Sequence, residues 1–276
     1  MTHMIYVVPS LKAKEKLQCE GKAWAESQGF AYVPRGKRTI QNLMDEYGED
    51  FLVYSSRGPQ IDRPEGSHFF SLNMAELRIQ NLRKGQCDHL LEALMGVKEY
   101  DLRPAAAQPP ISVLDCTCGF GADAAVASFG LPAGSRVDAL EVSPLLEAVT
   151  AWGFSHFVHK KDDVTAALRR ISLRCSDYRD YLLSDEGPVY DVLYFDPMFQ
   201  RPVEASCQFQ PVRAIMEHGG LTRDLIERAL QKARRRVVIK ERDFRQLCRD
   251  FPDVTLYGGK YSRIGYAVLE CDSWKK

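Results

Sequence analysis

ISVLDCTCGFGADAAVASFG, residues 111–130, is the stretch that decides the fold of this chain. An apolar run ends at Asp115, a turn with two glycines follows, and an alanine-rich segment with helical spacing begins at Ala122. This order predicts a strand, a tight loop and a helix. The turn glycines, Gly119 and Gly121, let the backbone bend sharply and let a ligand lie against it, while the helix start offers free N–H groups and a favourable dipole. We therefore expect a cradle for a ligand here.

The spacing of the turn glycines leaves the kind of ligand open. Gly119, Gly121 and Ala124 also fit the dinucleotide-binding pattern G-x-G-x-x-G/A. From the glycines alone, the alternatives are a nicotinamide enzyme, an S-adenosylmethionine enzyme and a structural turn without a ligand. Features elsewhere in the chain have to distinguish them.

The composition is that of an ordinary globular protein. The 276 residues are 45% apolar and 27% charged, which is enough to bury a substantial core. Lys and Arg together number 37, as do Asp and Glu, so no overall basic field indicates a nucleic-acid partner. A phosphate backbone would have to be bound by local basic patches. The candidate patches are residues 35–38, 83–84, 160–161 and 234–236. The alternatives are a solvated charged loop at 35–38 and a solvated helix end at 234–236.

Eight cysteines are scattered along the chain, which shows no hydrophobic leader and no apolar run of membrane-spanning length. We therefore expect reduced thiols, a cytoplasmic location and no membrane partner. Cys116 and Cys118 are separated by one residue, which is too close for a C-x-x-C metal or redox site, and no second pair exists. No metal is expected, and these two thiols are interpreted as small packing residues.

Changes in pattern divide the chain into three regions. Residues 1–70 alternate short strands and helices and are predicted to be a small α+β domain. Residues 71–110 carry a helical pattern, which Gly85 breaks into two pieces, and then a Pro- and Ala-rich linker. Residues 111–276 are the domain that contains the cradle. In the first region we predict strands at 4–8 and 51–54, and helices at 11–28 and from Thr39 to Tyr47.

Acidic residues stand where the predicted strands of the third region end. Ligands in open parallel sheets bind beyond the carboxyl ends of the strands, so these acids are expected to line one crevice. Further strands of this sheet are predicted at 136–141, 171–175, 190–195 and 236–239, with a helix at 221–233. The acids are Asp115, Glu141, Asp177 and Asp196.

Glu141 has a second feature that indicates a ligand. It stands 20 residues after Gly121, which is where an α/β fold places the acid that binds ribose hydroxyls. The alternative is a charge at the entry of the next helix, which Ser143 and Pro144 predict to begin here. Glu141 is therefore a candidate cofactor-binding residue.

The end of the chain favours S-adenosylmethionine over a nicotinamide cofactor. Two β-rich runs, 254–257 and 264–269, flank a glycine pair and predict an antiparallel hairpin. A nucleotide-binding dehydrogenase does not need this ending, whereas a methyltransferase sheet characteristically has it. S-adenosylmethionine is therefore the expected cofactor. The binding residues expected around the turn are Asp115, Thr117, Gly119 and Gly121.

The chemistry is predicted at Asp196-Pro197-Met198-Phe199, which follows the strand at 190–195. The carboxylate of Asp196 and the carbonyl of Pro197 can accept hydrogen bonds from an exocyclic NH2 group, and Phe199 offers a face for a flat base. Such an amine is a weak nucleophile because its lone pair is delocalised into the ring, so holding both hydrogens and positioning the nitrogen in line aids methyl transfer. Asp196, Pro197 and Phe199 are the predicted catalytic residues. The alternative is a structural turn with a buried Phe.

Residues 111–269 resemble the class I S-adenosylmethionine-dependent methyltransferases, and more narrowly the RsmJ-like family of small-subunit ribosomal RNA guanine-N2 methyltransferases. The general resemblance covers over half of the chain, and Asp-Pro-Met-Phe is its most specific motif. The segments that carry it are LDCTCGFGADA (114–124), ALE (139–141), YFDPMF (194–199), RVVIK (236–240) and the terminal hairpin.

The resemblance implies an α/β fold, with a Rossmann-like sheet of seven strands, helices on both faces and a C-terminal antiparallel hairpin. It also implies that the methyl acceptor is the exocyclic N2 amine of a guanine in ribosomal RNA. Alternatives are methylation of a protein amide or a small molecule, and a binding module that lost catalysis, which Asp196 and Phe199 argue against. The cofactor-binding residues it implies are Ala122, Asp123, Glu141, Val142, Ser176, Asp177 and Asp196.

Overall fold

The computed structural model describes residues 4–98, 108–197, 220–258 and 264–273. These residues form two compact units. The first unit holds residues 4–71 and 143–157, and the second holds the other described residues. The domain boundaries expected from the sequence stay a prediction.

The described chain contains both strands and helices. The strands are β1 (Tyr6–Pro9), β2 (Ala31–Tyr32), β3 (Phe51–Ser55), β4 (Gly58–Arg63), β5 (Gly66–Phe69), β6 (Ser112–Asp115), β7 (Arg136–Glu141), β8 (Ile171–Cys175), β9 (Val192–Phe195), β10 (Arg236–Glu241), β11 (Thr255–Gly258) and β12 (Gly265–Glu270). The helices are α1 (Glu15–Ser27), α2 (Ile40–Tyr47), α3 (Asn73–Arg83), α4 (His89–Met95), α5 (Ala122–Gly130), α6 (Pro144–His156), α7 (Asp162–Leu168), α8 (Tyr178–Leu183), α9 (Arg223–Lys232) and α10 (Arg245–Asp250).

The second unit is built on a sheet of seven strands in the order β11-β12-β10-β9-β6-β7-β8. Strands β10, β9, β6, β7 and β8 pair with one another in parallel, and β12 runs antiparallel to both β10 and β11. The predicted α/β sheet of seven strands with an antiparallel end is therefore confirmed. Because the central strands are parallel, their carboxyl ends lie along one edge of the sheet.

The core of the second unit consists of apolar side chains from the central strands. Leu114, Leu193, Phe195 and Val237 are buried completely, and Leu140 almost completely. Near-continuous apolar runs of this kind are typical of parallel strands covered on both faces. The same runs predicted the strands from the sequence.

The first unit has its own sheet of five strands in the order β2-β1-β3-β4-β5. Strand β1 pairs parallel with β2 and β3, while β4 pairs antiparallel with β3 and β5. Helix α6 packs on β4, where the ring of Trp152 covers Gly58. Gly58 has a φ of +88°, and a Cβ there would lie 2.5 Å from the indole ring. Backbone conformation and close packing both require glycine at this position.

Strands β4 and β5 were not predicted. Strand β4 reads Gly-Pro-Gln-Ile-Asp-Arg and is buried along its whole length despite its polar side chains. Gln60 donates hydrogen bonds to both carboxylate oxygens of Asp62, at 2.8 and 2.9 Å. Because strand formation depends on pairing and burial more than on intrinsic preference, this polar run gave no local signal.

Capping residues mark the helix starts that the sequence predicts well. Thr39 and Asn42 form a capping box at the start of α2, which ends at Tyr47 as expected. The side chain of Thr222 accepts a hydrogen bond from the first turn of α9. Gly85, with a φ of +75°, separates α3 from α4 as predicted.

No helix in the described ranges is long and apolar enough to cross a lipid bilayer. The same residues contain no group of three or more His, Cys, Asp or Glu side chains placed to hold a metal ion. The described cysteines are free thiols, and Cys116 and Cys118 are buried, as expected of packing residues.

Candidate active site

The turn between β6 and α5 forms a cradle at the carboxyl edge of the sheet. Cys116 N donates to Tyr194 O at 2.8 Å and Cys118 N donates to Leu140 O at 2.9 Å, so both neighbouring strands hold the turn. Gly119 and Gly121 have φ values of +54° and +75°. A Cβ at Gly119 would meet only a carbonyl oxygen 3.9 Å away, which leaves open space in front of this residue. The predicted strand, glycine turn and helix are confirmed.

Glu141 lies against this turn. It is the last residue of β7 and only 7% exposed, and its Oε2 accepts a hydrogen bond from Gly119 N at 2.9 Å. Val142 follows it and is half-buried. The backbone carbonyl of Glu141 accepts a hydrogen bond from Ser176 N at 3.0 Å, which connects β7 to the residues after β8. Glu141, Val142 and Ser176 therefore lie together beside the glycine turn.

Asp177 ends the next strand but has a local role. It is the N-cap of α8, and its Oδ1 accepts a hydrogen bond from Arg179 N at 2.8 Å. The same oxygen accepts from Arg179 Nε at 3.0 Å. Asp177 thus stands at the expected edge of the sheet, while its carboxylate serves the start of α8.

Asp115 is buried beneath the turn, with 2% of its surface exposed. Its carboxylate accepts a hydrogen bond from Thr117 N at 3.1 Å. Burial raises the pKa of Asp115 well above its ordinary value. The hydroxyl oxygen of Thr117 accepts a hydrogen bond from Asp196 N at 2.6 Å. These two residues therefore shape the turn and join it to the end of β9.

Asp196 belongs to a cluster of charges centred on Lys240. Lys240 Nζ donates hydrogen bonds to Asp196 Oδ2 and to Asp123 Oδ2, each at 2.7 Å. The side chain of Lys240 is 13% exposed and that of Asp196 29% exposed, while Asp123 is buried. Pro197 follows Asp196 and is half-buried, whereas Phe199 lies outside the described residues. The crevice expected from the strand ends therefore contains a cation as well as acids.

The cluster extends from Asp123 to helices α3 and α4. Tyr194 donates a hydrogen bond from its hydroxyl to Asp123 Oδ2 at 2.7 Å, and Arg78 donates to Asp123 Oδ1. Arg78 also makes a bidentate pair with Asp88, in which both nitrogen-to-oxygen distances are 2.8 Å. Three donors occupy the carboxylate of Asp123, so only its backbone faces the helix start as a possible donor to a ligand.

Burial and nearby charges shift the pKa values of the two acids that contact Lys240 in opposite directions. Burial raises the pKa of Asp196 to about 6, and although the ammonium of Lys240 opposes this rise, the carboxylate of Asp123 adds to it. For Asp123, burial alone would raise the pKa, but Lys240 and Arg78 hold it below its ordinary range. Burial alone would lower the pKa of Lys240, but the two carboxylates raise it. Asp196 thus titrates close to neutral pH.

Lys240 and Arg78 were not among the predicted site residues. Lys240 did carry a signal, because it follows an apolar strand in the same way as the four acids. The register aligns Ile239 with Phe195, so Lys240 comes next to Asp196. Arg78 gave no signal because its partners, Asp88 and Asp123, lie outside its own helix, 10 and 45 positions away.

The basic patches expected to contact phosphate are only partly at the surface. Arg35 is buried, and Arg38 donates to Glu46 and to Tyr47. Arg236 is buried beside Glu270. The expectation of phosphate contacts is therefore wrong for Arg35 and Arg236, because burial removes both guanidinium groups from solvent. Among the other predicted cations, Lys160 and Lys161 are exposed.

The observed cradle fits an adenosyl cofactor. Open space in front of Gly119, the unblocked helix start after Gly121 and the carboxylate of Glu141 beside them provide room, backbone donors and an acceptor for hydroxyl groups. These are the features expected of a nucleoside-binding turn. They agree with the strand order, which places the turn after the middle one of the five parallel strands.

Comparison with known proteins gives the family. A family model described as putative SAM-dependent methyltransferase matches residues 89–264. The Bacillus subtilis protein YpiP is 28% identical over 236 residues, covering 85% of this chain and 88% of that protein. The ribosomal RNA small subunit methyltransferase J of Dechloromonas aromatica is 27% identical over 198 residues, covering 71% of this chain and 75% of its own. The Thioalkalivibrio sulfidiphilus protein of the same name is 32% identical over 133 residues, covering 47% of this chain and 51% of its own.

A solved structure supports the fold. The crystal structure of a SAM-dependent methyltransferase from Neisseria gonorrhoeae aligns with a TM-score of 0.62 at 17% identity, covering 98% of this chain and 97% of that one. The family match spans more than half of the chain and includes the glycine turn, Glu141, Asp196 and Lys240. We conclude that the chain belongs to the family of putative SAM-dependent methyltransferases, as an RsmJ-like class I enzyme whose cofactor is S-adenosylmethionine.

Proposed function

We propose that this protein methylates the exocyclic N2 amine of a guanine in small-subunit ribosomal RNA. One observation carries the proposal. The partly exposed carboxylate of Asp196 lies at the end of β9, joined through Thr117 to the glycine turn. An acceptor for amine hydrogens is therefore adjacent to the cradle that fits the methyl donor.

The chemistry requires little from the protein beyond positioning. S-adenosylmethionine supplies a methyl group that is already activated. Asp196 and the carbonyl of Pro197 accept hydrogen bonds from the amine and help to localise its lone pair, and Phe199 is proposed to stack on the base. As the amine nitrogen bonds to the methyl carbon, the carbon–sulfur bond of the donor breaks, S-adenosylhomocysteine is the leaving group, and the nitrogen must lose one proton. Asp196, whose pKa is about 6, can accept that proton and release it to water.

The cofactor residues are assigned by the same argument. We assign the backbone of the turn and helix start, at Gly119, Gly121, Ala122 and Asp123, to one side of the cofactor. Glu141 is assigned to the ribose hydroxyls, and Val142, Ser176 and Asp177 to the surroundings of the base. Asp115 and Thr117 support the turn from beneath through the hydrogen bond between them.

The relatives support ribosomal RNA as the substrate. Several of them are ribosomal RNA small subunit methyltransferases J, and two such matches cover three quarters or more of those proteins. An RNA substrate of this kind agrees with the cytoplasmic location expected from the sequence. The exposed Lys160 and Lys161 remain candidates for phosphate contacts.

A second candidate is methylation of a protein amide or a small molecule. One observation favours it: two of the arginines expected to bind phosphate are buried, so the basic surface is smaller than the sequence indicated. The same Asp196 would hold an amide nitrogen equally well. The experiment below therefore includes acceptors other than RNA.

The test is methyl transfer by the purified protein from cofactor labelled in its methyl group. Acceptors are ribosomal RNA and small ribosomal subunits from cells that lack the gene, together with protein from the same cells. Labelled N2-methylguanosine after digestion of the RNA is the expected product, and RNA from cells that keep the gene should take up little label. Label confined to protein or to small molecules would favour the second candidate.

A further inference from the structure

We propose that Lys240 is a positioning residue, which holds one carboxylate oxygen of Asp196 so that the other faces the methyl acceptor. The identity of the acceptor rests on the proposed function, but the action of Lys240 on Asp196 does not. No other described residue gives a hydrogen bond to the Asp196 carboxylate. Among the described residues, Lys240 is therefore the group that orients this carboxylate.

The backbone and one side-chain oxygen of Asp196 are fixed by two different elements. Thr117, in the glycine turn, accepts a hydrogen bond from Asp196 N at 2.6 Å. Lys240, at the end of the neighbouring strand β10, donates to Oδ2 at 2.7 Å. With these two contacts made, Oδ1 has no partner among the described residues and is available to accept an amine hydrogen.

Lys240 can orient Asp196 because Lys240 is itself anchored. Its Nζ also donates to Asp123 Oδ2 at 2.7 Å, and Asp123 is held by Tyr194 and Arg78. Arg78 is fixed in turn by its bidentate pair with Asp88. A lysine side chain is ordinarily flexible, but this series of connected contacts between buried and partly buried side chains restricts its ammonium to one place. The anchoring extends from the start of α4 to the end of β9.

The same geometry makes Lys240 the main positive charge acting on Asp196. The ionisable groups around this pair come from seven strands and helices or their ends. Arg78 and Lys240 are the cations, and Asp88, Asp123 and Asp196 are the carboxylates joined to them. The other groups are Asp115, whose raised pKa favours its neutral form, Glu241, which raises the pKa of Asp196, and the hydroxyls of Tyr194 and Tyr266.

Removing Lys240 would leave one cation for three carboxylates. An opposite charge within about 4–6 Å lowers a carboxyl pKa by about 1–3, so Lys240→Met should raise the pKa of Asp196 by about that amount. From about 6, the pKa would then become about 7 to 9. The ionised fraction of Asp196 at pH 7 would fall by about 2- to 90-fold. The rate of methyl transfer should fall by the same factor. A higher pH should restore the rate.

A structural role makes a different prediction. If Lys240 served only to neutralise the buried Asp123, its loss would lower stability and leave the titration of Asp196 unchanged. Lys232 provides a matched control in the same unit, because its ammonium is also held internally, by the carbonyls of Tyr181 and Ser184. Lys232→Met should lower the melting temperature without moving the pKa of Asp196.

The experiment is an NMR titration of the full chain with 13C-labelled Asp carboxyl groups, which needs no methyl acceptor. Asp196→Asn identifies the signal by its disappearance. We expect the pKa of Asp196 to rise by about 1–3 in Lys240→Met, to stay near the wild-type value in Lys240→Arg, which keeps the charge, and to stay unchanged in Lys232→Met. Should Lys240→Met fail to fold, Lys240→Gln keeps a hydrogen-bond donor without the charge and is expected to show the same rise.

Rates provide the second measurement. With undermodified ribosomal RNA, the acidic limb of the pH profile for Lys240→Met should move to higher pH by the same amount, while KM for the cofactor stays within about threefold. An unchanged Asp196 pKa in the uncharged variants would overturn the role of Lys240 even if RNA methylation is established. The expected pKa rise without any methylation of RNA would retain that role and overturn the proposed function instead.

Discussion

Replacing Asp196 by alanine is the perturbation that bears most directly on the chemistry. The side chain is 29% exposed and its carboxylate is bonded by Lys240 alone among the described residues. Lys240 keeps its contact with Asp123 in the variant, and the hydrogen bond from the backbone of residue 196 to Thr117 does not depend on the side chain. The fold should therefore survive, with a melting temperature within about 4 °C of wild type, roughly 1 kcal/mol.

The rate should change far more than the stability. Losing one preorganised polar group at a reacting centre costs about 100- to 1,000-fold in rate, or about 2.7–4 kcal/mol of transition-state stabilisation. At pH 7 the wild-type carboxylate is mostly ionised, because its pKa is about 6, so almost the whole effect should be measurable. Asp196→Asn keeps the shape of the side chain but places an NH2 group near the amine, so it should be similarly slow.

The assay is single-turnover methyl transfer to undermodified ribosomal RNA at saturating cofactor, with binding of S-adenosylhomocysteine measured in parallel. Asp243→Ala is the matched control. Asp243 comes shortly after β10, the strand that contains Lys240, but it is exposed and pairs with Arg245 at the surface. Its rate should stay near wild type. Near-normal transfer by Asp196→Ala would mean that Asp-Pro-Met-Phe is only a turn, and the amine-methylation mechanism would have to be abandoned.

Three other predictions concern pH, the cofactor and stability. The wild-type rate should fall about tenfold between pH 7 and pH 5, because protonation of Asp196, with a pKa of about 6, removes the acceptor; a flat pH profile would refute this. Glu141→Ala should weaken binding of S-adenosylhomocysteine by about 1–3 kcal/mol in titration calorimetry, because the proposed bonds of its carboxylate to the ribose hydroxyls are lost and Gly119 N loses its acceptor; an unchanged affinity would place Glu141 outside the site. Gly58→Ala should lower the free energy of unfolding by about 1–3 kcal/mol through its clash with Trp152, measured in denaturant. Gly36→Ala, which has a φ of +60° but nothing within 4 Å of its added Cβ, is the control and should lose less.

Much of the second unit could be predicted because each of its strands is marked by a short apolar run in the sequence. The bounds of β7 and β8 agree with the predicted runs, and β6 ends at Asp115 as expected. Apolar residues buried on both faces of a parallel sheet produce continuous runs, and polar residues mark the carboxyl ends. The turn could also be predicted from a few neighbouring residues, since its positive φ values favour glycine at these positions.

What the sequence could not predict depends on contacts between distant residues. The saturated carboxylate of Asp123 depends on Arg78 and Lys240, which are 45 and 117 positions away. Asp177 had the same position at a strand end as the other three acids, but its carboxylate accepts a hydrogen bond from Arg179, two positions later. Arg236 looked like part of a basic patch and is buried beside Glu270. In each case the sequence gives the position of a charged residue in the chain, but tertiary packing determines which group it contacts.

The central claim is that this enzyme forms N2-methylguanosine in small-subunit ribosomal RNA through Asp196. The most direct test is quantitative mass spectrometry of nucleosides from that RNA in cells with the gene, without it, and without it but carrying the gene for wild type or Asp196→Ala. The expected result is a loss of N2-methylguanosine on deletion, which the wild-type gene restores and the Asp196→Ala gene does not. Equal amounts of N2-methylguanosine in all four samples would contradict it.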